Sequence, residues 1–414
     1  MSHLLLLELP GGNDTDILLA AERRGDRVTF LTSDLAAYRN QREVQHALDR
    51  CARQIEVEGF DLNAVIAAVD RLHEEDPVDA VLCLIDIRIV DAAVLAARLG
   101  TRFLRPEVAV LLRDKFSVRE ALQAAGIEQP VFALATTGDA VRAAVADIGL
   151  PVLIKPSDGY GSQNIFLLQD LDDLDPFLSP IDTMLPSRAD YGLGVRPTDR
   201  VLVEQFMEGP VLGCDILSRN GVHRLLGVHE KLYFPSPSFA IRGGCFCPRS
   251  ALHADVEAYA FSVLDALQVD WGATHVELVA TREGLRLIEV NGRMVGAMMP
   301  RLVDLSLGGS FHEALISCHL GEVVQREEPE HAPRYAASRW LSATGEGVLE
   351  SFVWPAFDVH AAYVRLLAQV GDRVSPPYQN ADRLACVMVA DGAREAAEAE
   401  AERIGSAAEI SVRP

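Results

Sequence analysis

The sequence predicts two architectures in succession, a small parallel α/β unit and then a larger α+β body. Three observations carry that reading. A length of 414 residues allows about three domains, and 49% hydrophobic residues is enough to give each a core. Strand-like and helix-like segments alternate up to about residue 108, as a parallel sheet with crossover helices requires. Beyond about residue 110 the alternation gives way to consecutive short apolar strands, which read as antiparallel. The expected division is 1–108 for the N-terminal α/β unit, 109–200 and 201–320 for two lobes of the body, and 321–414 for a C-terminal α+β region.

Within the first unit, Leu4–Leu9 reads as a strand, Pro10 to Asn13 as a turn, Asp14–Arg24 as a helix and Arg27–Leu31 as the second strand. Val78–Ile85 and Val90–Leu99 are a further strand and helix, closed at Gly100. Its glycines do not spell G-x-G-x-x-G, which argues against a dinucleotide site. In the body, Asp114–Ala125 is a helix closed by Gly126, and Val131–Ala135 and Val152–Lys155 are strands with a helix from Asp139 between them. Leu167–Arg200 is polar and turn-rich, and is expected to be mobile. Val201–Phe206, Val211–Ser218 and Arg224–His229 read as antiparallel strands, His253–Leu267 as a helix, 275–290 as a hairpin and Gly392–Ile404 as the final helix. There is no internal repeat.

A formal net charge of −22, spread along the chain, argues against nucleic-acid or anionic-membrane partners. No stretch approaches the roughly 20 apolar residues of a membrane span. Met1 to Gly12 has no Lys or Arg and a single short apolar run, so it reads as a first strand and not as a signal peptide. Seven scattered cysteines with no CxxC pair point to free thiols in a reducing cytoplasm. Cys245 and Cys247 form a C-x-C without a second ligand pair nearby.

Lysine stands at positions 115, 155 and 231 and nowhere else, so arginine supplies all the other basic side chains. An ammonium on a flexible stem can follow a moving phosphate in a way a planar guanidinium cannot, which singles out Lys115, Lys155 and Lys231. The hairpin adds a second signal. Arg282-Glu283-Gly284 suits a three-residue turn with a bulge, which puts Thr281 opposite Leu285 and Glu277 opposite Glu289. Alternation then places Glu289, Asn291 and Arg293 on one face. Directly opposed carboxylates repel unless a cation lies between them, and two Glu with an Asn form a hard oxygen set suited to Mg²⁺. A solvated acidic face would look the same in isolation.

Lys155-Pro-Ser-Asp-Gly-Tyr-Gly-Ser162 carries a lysine into a Gly/Ser-rich loop whose amides can cradle phosphate oxygens. It is not the G-x-x-x-x-G-K-[ST] loop, and a plain hairpin turn is the alternative. In Val201 to Gly209, an apolar strand leads to Glu204 and a short linker, where the backbone at 205–207 would suit a purine. An ordinary strand end reads equally well.

In this order, Arg113-Asp114-Lys115, Lys155 with its loop, Glu204-Gln-Phe-Met207 and Glu277…Glu289-Val-Asn291-Gly-Arg293 resemble the ATP-grasp superfamily, strongly over 110–310. The flanking regions fit its carboxylate–amine (L-amino acid or dipeptide) ligase branch. The resemblance implies an ATP-grasp fold behind a Rossmann-like N-terminal domain, with a nucleotide clamped between two subdomains. It implies ATP and Mg²⁺ as cofactors, with Mn²⁺ as the alternative ion. Lys115, Lys155, Ser157, Gly159, Gly161 and Ser162 would lie on the phosphates, and Glu204, Gln205, Phe206 and Met207 on adenine. Glu277, Glu289 and Asn291 would hold the metal, Arg293 would stabilise the carboxyl phosphate, and Lys231 would line the γ-phosphate or substrate side. The implied reaction joins a small carboxylate to an amine through an acyl phosphate, and a homodimer is implied by the family.

Three positions depart from the family's pattern. Val211 stands where an acid often holds ribose, Gln163-Asn164 where Arg-Gly is common, and Gly243-Gly244 where many amino-acid ligases have Gly-His. Gly296-Ala297-Met298-Met299 suggests a roomy apolar pocket or ordinary packing. Arg242 reads as facing solvent, with a substrate carboxylate as the alternative. Arginine-rich, alanine-rich composition is associated with high-GC genomes, whose ligases often serve specialised metabolism. The rivals are a biotin-carboxylase-like or purine-pathway ATP-grasp enzyme and a catalytically silent ATP-binding protein. No Met-Lys-Met carrier motif is present.

Overall fold

The computed structural model describes all residues except 10–14, 40–41, 160–164, 175–197, 236–238, 250–253, 323–331 and 359–361. The expected turn at Pro10, the loop residues Gly161, Ser162, Gln163 and Asn164, His253 and most of 167–200 lie outside the described residues.

β1 (His3–Leu7), β2 (Arg27–Thr32), β3 (Arg53–Glu56) and β4 (Ala80–Cys83) form a parallel sheet in the order β3-β2-β1-β4. All five residues of β1 are buried. Helices cover both faces of such a sheet, so its central strand reads as a continuous apolar run without alternation. β3, with its half-exposed R-Q-I-E sequence, has no such run and gave no signal in the sequence.

β5 (Phe132–Ala135), β6 (Val152–Pro156), β7 (Phe166–Leu168) and β8 (Val201–Gln205) form a second sheet, ordered β5-β8-β6-β7. The helix Gly138–Ile148 packs on it through Val141 and Val145, against Val152, Ile154 and Val203. This corrects the expected boundary at 200. Val203 pairs with Ala133 and Ile154, so the strand assigned to the second lobe closes the first. An apolar run announces a strand but not its partners, because pairing is chosen by tertiary packing.

β9 (Val211–Arg219), β10 (Val222–Tyr233), β11 (Ile241–Pro248), β12 (Trp271–Thr281) and β13 (Gly284–Asn291) continue into β14 (Tyr335–Ser342), β16 (Ala362–Leu366) and β18 (Arg383–Asp391). They make one eight-stranded sheet, ordered β13-β12-β9-β10-β11-β14-β18-β16. The boundary expected at 320 therefore crosses a continuous sheet. β15 (Gly347–Val353), β17 (Arg373–Val374) and β19 (Glu409–Arg413) form a separate small sheet. Along β11 the side chains alternate between cores. Phe246 packs with Met299 and Leu302 on one face, while Cys245 and Cys247 meet Ala397 and Ala401 of the final helix on the other. The C-x-C is thus core, and all seven cysteines are free.

The hairpin reaches its expected pairing by another route. Thr281 pairs with Gly284, one residue tighter than predicted, and the register shifts between Leu278 and Glu277 so that Glu277 faces Glu289. Ile288 is the extra residue in the shift. A bulge of this kind re-aims neighbouring side chains, and here Ile288 and Glu289 both line the cavity described below.

Candidate active site

A cavity of about 600 Å³ lies between the four-stranded lobe and the end of the large sheet. That is the size of a small-molecule site. Lys115, Lys155 and Lys231 all reach it, as do Glu277 and Glu289. Three residues chosen by composition and two chosen by hairpin register therefore meet in one place.

Lys115 opens the helix Lys115–Ala124, whose N-cap Asp114 accepts from the Phe116 and Ser117 amides. The Lys115 amide donates to the Ser157 carbonyl at 2.8 Å, which ties the helix start to the Gly/Ser loop. Its ammonium contacts the Gly159 carbonyl and lies 3.2 Å from Glu289 Oε2. Gly159 lines the cavity, but Ser157 is fully buried, with its amide donating to the Arg200 carbonyl.

Lys155, at the end of β6, is 5% exposed, and its Nζ lies 2.5 Å from Glu204 Oε2. The other oxygen, Oε1, accepts from Arg119 Nε at 2.6 Å. Arg119 sits one helical turn after Lys115 and also donates to the Ile288 carbonyl at 3.0 Å, linking the two lobes. Sequence reading missed it, although the i, i+4 spacing from Lys115 was there to be read. Burial opposes the charge on Glu204, but Arg119 and Lys155 outweigh it and hold the carboxyl at about 2. On Lys155 burial wins over Glu204, and its pKa falls below the ordinary lysine value.

This makes a pH prediction. A folded pKa below the unfolded one contributes stability that is full above the unfolded value, 4.5, and is lost as pH falls through about 2. The four-stranded lobe should therefore loosen between those limits, which amide hydrogen exchange on β6 and β8 would detect. Unchanged protection in that window would remove Glu204 as its anchor.

The linker after β8 offers less backbone than expected. The Gln205 and Phe206 amides donate to the Val131 and Pro151 carbonyls, at 2.9 and 3.0 Å. Among the described residues the Met207 amide has no acceptor, so of the three linker amides it is the one left free. Gln205, Phe206, Met207 and Val211 all line the cavity.

Glu277 and Glu289 are each neutralised by a lysine. Lys231 Nζ lies 2.5 Å from Glu277 Oε1, and Lys115 holds Glu289. Asn291 Nδ2 is 3.3 Å from Glu289 Oε1. Against burial, Lys231 and His275 drive Glu277 well below the ordinary range, and Glu277 in turn raises Lys231. Among the described residues no three His, Cys, Asp or Glu side chains form a closed metal cage. Two carboxylates and an amide fit an ion that takes its remaining ligands from phosphates and water, as Mg²⁺ does.

Beneath Glu277 lies a buried relay that the sequence did not announce. His275 Nε2 is 3.5 Å from Glu277, its Nδ1 is 2.9 Å from Asp215 Oδ1, and Asp215 Oδ2 is 2.6 Å from His229 Nε2. Burial opposes charge on all three groups. The imidazoles still hold Asp215 at about 2, Asp215 and Glu277 raise His275, and on His229 burial wins and lowers it. Gly213 makes room for the relay, because a Cβ there would stand 2.5 Å from His275 Cε1.

Arg293 does not line this cavity. Its Nε donates to Asp86 Oδ2 at 2.7 Å, and Nη2 reaches the same oxygen. Asp86 belongs to the N-terminal unit, just after β4, and is 4% exposed. Burial opposes both charges, but the pairing raises Arg293 and lowers Asp86. Arg242, expected in solvent, pairs with Glu402 of the final helix. Gly243 and Gly244 adopt φ of +157 and +154, where a Cβ would strike the Ser338 and Glu230 carbonyls at 2.2 and 2.0 Å. Another residue at either position would need a different backbone.

Residues 148–300 match the ATP-grasp domain family, and residues 339–413 match L-amino acid ligase C-terminal domain 2. The chain carries an ATP-grasp domain. Members of that family use ATP and Mg²⁺, and this ATP-grasp chain also carries the C-terminal domain of the L-amino acid ligases. An L-arginine-specific L-amino acid ligase of Bacillus subtilis is 21% identical over 262 residues, which is 62% of this chain and 61% of that protein. An uncharacterized protein of Sinorhizobium fredii is 29% identical over 313 residues, 73% of this chain and again 61% of the relative. This ATP-grasp chain thus spans less than two thirds of those relatives' own length. The crystal structure of an L-amino acid ligase from Bacillus licheniformis shares the fold, with a TM-score of 0.78 at 20% identity. That match covers 100% of this chain and 99% of the other. Among the described residues no helix is long and apolar enough to cross a membrane.

Proposed function

We propose that this ATP-grasp chain is an ATP-dependent ligase that joins a small carboxylate to an amine through an acyl phosphate. The observation that carries the reading is the convergence of Lys115, Lys155 and Lys231 with the opposed Glu277 and Glu289 on one inter-lobe cavity. Its partners are small molecules, an amino acid or related acid and an amine.

ATP would lie with adenine against the 205–207 linker and Ile288, donated to by the Met207 amide. Lys155, held by Glu204, and Lys115, held by Gly159 and Glu289, would take the phosphates. Glu277, Glu289 and Asn291 would hold Mg²⁺, which when bound neutralises phosphate charge. The carboxylate oxygen then attacks the γ-phosphorus in line, the bond to the bridging oxygen breaks and ADP leaves. The amine nitrogen attacks the acyl carbon, the carbon–oxygen bond to phosphate breaks, and the amine proton leaves with phosphate or solvent. Lys231, paired to Glu277, would face the transferring phosphoryl group. Arg293, held by Asp86 and by the Met294 carbonyl that accepts from its Nη1, would stabilise the carboxyl phosphate through its positive charge. Closure between lobes would exclude water from the acyl phosphate.

The test is phosphate release from ATP and Mg²⁺ across pairs of amino acids and related acids. Release that requires both a carboxylate and an amine is the expected result. ATP binding without release for any pair would favour a silent binder, and no ATP binding would remove the reading entirely.

A further inference from the structure

A second cavity, about 740 Å³, lies where three parts of the chain meet. One wall is Met298 to Arg301, the start of the helix Met299–Leu307. A second is Asp16, on the first helix of the N-terminal unit, and the rest is β14 and β16–β18. None of its lining residues lines the inter-lobe cavity. This is where the sequence suggested a roomy pocket at Ala297 and Met298, but its character differs from that expectation.

The walls carry four arginines, Arg301, Arg365, Arg373 and Arg383, against three carboxylates, Asp16, Asp372 and Asp382. In a chain with a net charge of −22 a cavity with an excess positive charge is unexpected. The carboxylates are largely spent. Asp382 accepts from Ser375 Oγ and the Gln379 amide, Asp372 from the Gln369 amide, and Asp16 stands 3.4 Å from Arg301.

Arg383 is the side chain prepared for a ligand. It lies over the Trp340 ring, 4.0 Å from the centroid, and its Nε donates to the Asn380 carbonyl at 2.7 Å. That stacking and that bond fix the plane of the guanidinium. Among the described residues its terminal nitrogens have no acceptor, and no carboxylate lies within 4 Å. Burial lowers its pKa to about 10, yet it stays charged at neutral pH. A half-buried, oriented cation with no counter-ion in the chain is held ready to meet an anion from outside it.

We propose that this cavity is a second ligand site, built for a small monocarboxylate carried on an apolar body. A planar fork held in one orientation matches a carboxylate bidentately. The single excess charge matches a monoanion better than a phosphate. Met298, Leu367 and Leu384 supply apolar wall for the remainder. The ligand is either the distal acid of a substrate or an effector. Both would act on the segment that runs from Arg293 to Arg301. The proposal does not depend on the ligase reading, because binding here needs neither ATP nor turnover.

The experiment is calorimetric titration of the full chain, without ATP, using acetate, butyrate and phenylacetate, with inorganic phosphate as the polyanion control. Saturable binding of butyrate or phenylacetate is expected, weaker by roughly tenfold to a hundredfold in Arg383→Gln and partly restored in Arg383→Lys. Arg373→Gln, at an exposed position, should weaken binding less and guards against misfolding of the half-buried variant. No saturable heat with any carboxylate, equal affinity in both glutamine variants and wild type, or tighter binding of phosphate would overturn the proposal. Adding ATP, Mg²⁺ and an amine then separates the sources. Consumption of the bound acid identifies a substrate, and an altered phosphate-release rate without consumption identifies an effector.

Discussion

Replacing Glu289 with alanine should lower ATP-dependent phosphate release by about 10²–10³-fold, with far less effect on folding. The carboxylate is partly open to the cavity, and the partner it leaves behind, Lys115, keeps the Gly159 carbonyl as acceptor. Stability therefore loses an exposed-side ion pair, worth about 1 kcal/mol or less. Turnover loses one of two opposed carboxylates that would anchor the ion on the phosphates, and Glu277 alone cannot replace it across the strand pair. The measurement is phosphate release at saturating Mg²⁺ alongside thermal unfolding. A loss of less than tenfold with an intact melt would show that Glu289 does not act at the reaction centre.

Glu204→Gln should act in the opposite sense, on the fold first. The wild-type carboxylate lies between Arg119 and Lys155, all three nearly inaccessible to water. Removing its charge leaves two buried cations without a counter-ion, at a cost of about 3–5 kcal/mol. Adding Arg119→Met to Glu204→Gln should recover part of that loss, because one uncompensated charge goes with it. Urea unfolding followed by hydrogen exchange on the four-stranded lobe reads the effect directly. A shift below about 1 kcal/mol in the single variant would mean that water reaches this pair and that the buried-anchor account is wrong.

The two variants differ because the structure separates roles that look alike in sequence. Glu204 and Glu289 both end apolar strands and both fall in motif positions. Glu204 lines the cavity but is 2% exposed and holds two buried cations in place, while Glu289 is more open to the space where phosphates would lie. Nothing local to either residue distinguishes them. The distinction comes from Arg119 on a helix 85 residues earlier in the chain.

What the sequence determined by itself was local and periodic. Strand and helix alternation defined the N-terminal sheet, alternation along 275–291 put Glu277, Glu289 and Asn291 on one side, and the scarcity of lysine marked three residues that meet in one cavity. These properties are set by side-chain period and by composition, which any reading of neighbours can recover. Even the turn was forgiving, since a tighter loop and a one-residue bulge arrived at the same glutamate pair.

Tertiary structure alone decided which distant groups complete them. The strand Val201–Gln205 joined the first lobe, and β14, β16 and β18 of the C-terminal region extended the large sheet instead of standing apart. Asp86 came from the N-terminal unit to hold Arg293, and Asp215 and two histidines settled beneath Glu277. Arg383 was left without a counter-ion among the described residues, at a junction of three segments. For Arg293 and Glu277 a buried charge needs a partner, and for the strands an edge needs a neighbour; both are selected by packing in three dimensions, where sequence separation carries no information.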